Sequence, residues 1–160
     1  MRYVTFLLAL VVLSPSARAA DNWRTDPVWY DGLVEKATYS ANRVIYGQPR
    51  PHTAIHFTNK EQHDRTTLTK ANNSTDRGEV FKHNHIESVP TPTYPYHFVA
   101  TTHLATDTLR LTRLDVTSQE FCGTSFKQIV AQDDGWVFRE YSYMPEAGTT
   151  ERTISARAEP

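Results

Sequence analysis

The chain has 160 residues, 17 basic and 18 acidic, a formal charge of −1 and a single cysteine. That length suits one domain able to bury its own core without a disulfide or a structural metal. The charge balance excludes a nucleic-acid binder with a basic stripe and a protein held on anionic lipid, and one cysteine excludes an internal disulfide.

Residues 1–20 read as a signal peptide. Met1-Arg2-Tyr3 is a short basic start, Val4 to Leu13 is apolar except for Thr5, and Ala17-Arg18-Ala19 has the small-x-small pattern of a cleavage site. The apolar run is shorter than the roughly 20 residues a bilayer span requires, and no later segment reaches that length. No cysteine follows the run to take a lipid, so the chain is expected to be a periplasmic or secreted protein without a transmembrane anchor.

Residues 21–160 are expected to form a single β-rich domain. Leu33–Tyr46 contains some helix formers, but Gly47-Gln48-Pro49-Arg50-Pro51 bounds it as a turn, and Thr53, Ile55 and Phe57 then alternate with Ala54, His56 and Thr58. Leu33–Tyr46 and His52–Asn59 are therefore predicted to form a long hairpin. The segment 60–78 is polar apart from Leu68 and reads as a loop over the surface. Val80–Ile86 suggests a short strand, and Pro90, Pro92 and Pro95 enforce an extended connector.

Tyr96–Leu104, Leu109–Val116, Phe121–Val130 and Trp136–Tyr143 are four strand-length runs, and Thr149–Ala156 suggests one more. Asp134-Gly135 marks a hairpin turn. Leu109 and Leu111 lie in one phase and Leu114 and Val116 in the other, which predicts a bulge near Thr112-Arg113. Adjacent strands of this kind form an antiparallel meander. With at most one short helix to cover it, the sheet is expected to curl into a half-barrel or to pack as a small sandwich.

Seven histidines lie between His52 and His103. His83 and His85 are the sharpest pair, because i and i+2 on a strand point the same way about 6.6 Å apart and can share a zinc or copper ion. His97, His103 or Glu87 would serve as the third ligand. His52 and His56 are about 13 Å apart along a strand, too far to chelate one ion. Cys122 is a candidate nucleophile, expected on a strand face with Glu120 and Phe126, but a thiolate needs an imidazole or a helix N-terminus and Glu120 would raise its pKa. Asp115, Glu120 and Glu140 are the carboxylates that could pair across strands. Tyr94, Tyr96, Trp136 and Tyr141 are candidates to line a concave face for an apolar small molecule or an envelope protein.

Thr117-Ser118-Gln119-Glu120-Phe121-Cys122-Gly123, followed by Phe126 and Gln128, resembles the S-S-Q-E-[WF]-C-G signature of an uncharacterised group of exported bacterial proteins. Tyr94-Pro95-Tyr96, Tyr46-Gly47-Gln48-Pro49-Arg50 and Trp29-Tyr30-Asp31-Gly32-Leu33-Val34-Glu35 resemble the group in the same order. The group is sometimes labelled septum formation inhibitor Maf. Genuine Maf proteins are cytoplasmic α/β nucleotide pyrophosphatases, whereas this chain has an export signal and no parallel-sheet rhythm. Members of the group are often longer and lipid-anchored, so the resemblance implies an incomplete version here, and it assigns no catalytic residue. The leading expectation is a non-enzymatic binding or envelope-support module. The rival is a hydrolase, metal-dependent through His83 and His85 or thiol-dependent through Cys122.

Overall fold

The computed structural model describes residues 23–156, so the expected signal peptide lies outside the described residues. Eight strands follow two short 3₁₀ turns at Trp23–Thr25 and Pro27–Tyr30: β1 Glu35–Ile45, β2 Gln48–Asp64, β3 Arg77–Val89, β4 Tyr96–Ala105, β5 Leu111–Glu120, β6 Gly123–Gln132, β7 Gly135–Ser142 and β8 Thr149–Ser155. They form one antiparallel sheet in the order of the sequence, a meander that does not close. Of the two architectures expected, the curled single sheet is the one formed.

The first hairpin turns at Tyr46-Gly47, one residue earlier than the proline-rich stretch suggested. Both residues have positive φ, 51° and 72°, the backbone of a type I′ turn. Pro49 and Pro51 then lie inside β2, opposite Val44 and Asn42. Beyond this tight turn Ile45 and Gln48 form the hydrogen-bonded pair, so the two prolines occupy positions whose missing N–H would point away from β1. Pairing of β2 with β3 starts only at Ala54, so the ladder loses nothing there.

The hairpin tip bends over the sheet. Arg43 on β1 reaches Glu87 on β3 and stacks its guanidinium 4.4 Å from the Phe98 ring on β4. Tyr46 accepts a 2.7 Å hydrogen bond from the Tyr96 hydroxyl. These contacts curl the β1 edge inward. The loop expected over 60–78 narrows to residues 65–76, because β2 continues to Asp64 and β3 starts at Arg77. Asp64 organises it by accepting from the amides of Thr66 and Thr67.

The bulge falls where the phase slip placed it. His103 pairs with Arg113 and Leu104 with Leu111, so Thr112 is the extra residue of β5. Its hydroxyl donates to the His103 carbonyl at 3.1 Å.

Register places a different feature on each face of the sheet. One face carries a polar belt across the strands: Glu151 and Gln128 bind Arg139, Gln128 donates to Asp115, and Asp115 holds Arg113 at 2.6 Å. The other face carries Phe81, Leu104, Leu111, Leu114, Ile129, Trp136 and Phe138, an apolar stripe running from β3 to β7. At its start the N-terminal turns act as a strap. Trp23 stacks on Phe81 at 5.3 Å and Trp29 meets it edge-on at 5.1 Å. Lys60 pins the strap by donating to the Arg24 carbonyl and the Tyr30 hydroxyl while pairing with Glu79 at 3.0 Å. Among the described residues the buried apolar side chains are Ala54, Ala71, Val80, Phe81 and Val89 around β2 and β3, with Val137 on β7.

Gly135 opens β7 against Ser155 of β8, and a Cβ there would lie 2.1 Å from the Ile154 carbonyl oxygen. Backbone cannot yield as a side chain can. Gly135→Ala is therefore expected to cost about 2 kcal/mol as an overpacking change, read as a lower thermal midpoint. An unchanged midpoint would mean that β8 does not approach so closely.

Candidate functional site

The histidines divide by strand parity. On β3 the odd residues His83, His85 and Glu87 share the apolar face, while Lys82 and Asn84 share the polar one. His56 of β2 sits opposite His85, so it joins His83 and His85. The His56 and His83 rings meet at 3.0 Å through Nδ1 and Nε2, His56 stacks on His85 at 4.4 Å, and Thr58 holds His83 Nδ1 at 2.9 Å. Burial, then the neighbouring His56 and His85 rings, lower the His83 pKa, which keeps the ring neutral.

Glu87 ends this row. It accepts from Arg43 at 2.5 Å and lies 2.9 Å from His52 Nε2 and 2.7 Å from His85 Nε2, the last too oblique for a hydrogen bond. Hydrogen bonding from Arg43 outweighs burial, and with His52 it holds the Glu87 carboxyl down to about 2. His52 and His56 thus belong to one polar chain through Glu87 and His85, although they are too far apart in β2 to chelate together.

His103, weighed above as a third ligand for His83 and His85, lies on the other face. Its register partner on β3 is Lys82, an even residue. There it meets Glu61 and His63, which follow the same i, i+2 pattern on β2. One ligand atom from each of Glu61, His63 and His103 lies within 4.8 Å of the others. Burial, then the nearby His63, hold the His103 imidazolium down to about 4. Burial pushes the Glu61 carboxyl up, but the His63 hydrogen bond and Lys82 outweigh it and leave the group below its usual range. Glu61 and His63 were hidden because their segment reads as a polar loop; the E-x-H spacing was the available signal.

Cys122 does not lie on a strand. Glu120 pairs with Gly123, so Phe121-Cys122 is a two-residue turn and Cys122 shares no face with Phe126. The thiol is exposed, and its partner is the Tyr94 hydroxyl at 3.4 Å, which also donates to Glu120 at 3.2 Å. The bond to Cys122, the largest of several contributions, pushes the Tyr94 hydroxyl pKa up. This group supplies no base to make a thiolate. Asp115 faces the polar side bound to Arg113, while Glu140 is on the opposite side bound to Lys127 at 3.1 Å.

The aromatic candidates separate as well. Tyr94 and Tyr96 lie at one end, 5.6 Å apart, with Phe121 stacked on Tyr94 at 4.7 Å. Trp136 is on the apolar face, five residues before Tyr141, and therefore on the opposite side from it. What the sheet does assemble is the apolar stripe. Leu111, Leu114, Ile129, Trp136 and Phe138 are half-buried, and Arg110 and Arg152 lay their guanidinium groups over Trp136 and Phe138 at 5.6 and 4.8 Å.

Comparison with protein-family models, curated proteins and solved structures finds no match. Among the described residues no helix is long and apolar enough to cross a membrane.

Proposed function

We propose that the chain is a non-enzymatic binding module of the periplasm or extracellular space, and that it takes an anionic amphiphile with a hydrocarbon tail on the β5–β7 part of its apolar face. One observation carries this reading. The stripe is covered by Trp23 and Trp29 where it begins at Phe81, while Leu111, Leu114, Ile129, Trp136 and Phe138 keep partial access to solvent. A row of half-exposed apolar groups running across neighbouring strands marks a binding surface. The flanking guanidinium groups of Arg110 and Arg152 suit an anionic head, and Arg offers the planar donors that pair with a carboxylate or phosphate. The hydrolase reading has less support, since Cys122 meets a tyrosine and a carboxylate at an exposed turn.

Dodecanoate should displace an environment-sensitive fluorescent dye from the processed protein. Leu114→Asn or Phe138→Ser should weaken it by at least about tenfold, the equivalent of roughly 1.4 kcal/mol of lost apolar contact, with the circular dichroism spectrum retained. Failure of dodecanoate to bind, equal binding by both variants, or sedimentation showing the stripe buried in a dimer would overturn the reading.

A further inference from the structure

The polar face carries an arrangement that the amphiphile reading does not use. Glu61 and His63 project from β2, and His103 from β4, so the three side chains meet over the intervening β3. The register explains why they can. His63 is opposite Gly78, which has no side chain, and Glu61 is opposite Val80, whose own neighbour on β4 is the small Ala105. The space above β3 is left to the two rings, whose centroids are 4.4 Å apart.

The cluster is buried. The side chains of His63 and His103 are 5% and 7% exposed and that of Glu61 12%. Glu61 Oε1 lies 2.9 Å from His63 Nε2 and 3.7 Å from His103 Nε2. The other nitrogen of each ring, Nδ1, is buried without a hydrogen-bond partner. Two orphaned polar atoms side by side are costly, about 1–3 kcal/mol each, and native structures seldom keep them. Each ring therefore keeps a buried nitrogen that no side chain among the described residues satisfies, beside a carboxylate oxygen that can share a cation with the two imidazoles.

We propose that Glu61, His63 and His103 form a binding site for one divalent first-row transition-metal ion, with zinc as its occupant. Two imidazoles and a carboxylate are a known zinc donor set that leaves a further position open. Nitrogen donors disfavour calcium and magnesium, which take oxygen. The cluster opens on a shallow recess of about 320 Å³ lined also by Thr69, Lys70, Lys82 and Asp115, through which an ion and a water molecule can enter. Lys82 Nζ lies 3.4 Å from Glu61 Oε2 and competes for the same carboxylate. It therefore tunes affinity downward, and its removal should tighten binding.

The test is calorimetric titration of chelator-treated processed protein with zinc alone. One equivalent should bind. His103→Asn should weaken binding by more than about 100-fold, beyond the loss typical of an outer-shell change. Lys82→Gln should strengthen it, and His83→Ala on the opposite face should leave it unchanged. The ligand-field spectrum of the wild-type protein with cobalt(II) supplies a readout that needs no variant, and it should show nitrogen and oxygen donors at low coordination number. No zinc binding by the wild type, equal affinity in folded His103→Asn, loss in His83→Ala alone, or an octahedral aquo-like cobalt spectrum would each overturn the proposal. Dodecanoate binding is read on the other face, so failure of either experiment leaves the other standing.

Discussion

Phe81→Ala should lower stability by about 4 kcal/mol, the upper range for removing a buried aromatic ring. The Phe81 side chain is 5% exposed and sits beneath Trp23, Trp29 and the Lys60 ammonium, which lies 5.0 Å from its centroid. Three costs act together. The ring's own burial is lost, a cavity opens between strand and strap, and the two indoles lose the surface they rest on. The last cost distinguishes this variant from an ordinary core truncation. Trp23 and Trp29 should rehydrate, so the urea midpoint should fall while the native-state tryptophan emission moves to the red. A loss under about 1 kcal/mol with unchanged emission would show that the strap is not docked on this ring.

Glu87→Gln is the second large effect, about 3 kcal/mol, the cost of removing one partner from a buried charge cluster. The carboxylate serves Arg43 of β1, His52 of β2 and His85 of its own strand, so it ties the bent hairpin tip to β3. Glutamine keeps the shape but turns an amide donor toward groups that are themselves donors. The effect carries a pH signature. The carboxyl falls from 4.5 to about 2 on folding, so between those values the unfolded chain binds more protons than the folded one. Stability from this group is complete above about pH 4.5 and is lost as the pH falls toward 2. Urea midpoints measured down through that window should decline more steeply in the parent protein than in Glu87→Gln, since Asp64, also held down to about 2, contributes equally to both. Parallel curves for the two proteins would rule out Glu87 as the source.

Much of this architecture is legible in the residues. The strands after Pro95 follow from alternation and turn chemistry, and the phase shift between Leu111 and Leu114 locates the bulge, since an inserted residue brings both to one face. Lys60, Glu61 and His63 are harder. Each is polar, and a polar run normally marks a loop. Here Lys60 is satisfied by the strap and Glu61 by Lys82 and His103 as well as by its near neighbour His63; apart from the Glu61-x-His63 spacing these partners are about 20 to 40 positions away, beyond any local pattern. The same applies to the site. His83-x-His85 and Glu61-x-His63 are equivalent signals, but which of them His103 joins depends on whether it faces an even or an odd residue of β3. That is a matter of register, and only pairing fixes register. Cys122 illustrates the converse, because a turn at Phe121-Cys122, where the sequence predicts a strand starting at Phe121, removes the side chain from the strand face altogether.

The spatial order of the strands repeats their order along the chain, and three of the seven connections are two residues long. Bringing such neighbours together sacrifices little chain entropy, because the closure penalty grows with the length enclosed. Sheets whose partners are distant in sequence assemble slowly, waiting on rare encounters. This one can zip hairpin by hairpin, each new strand templated by the last.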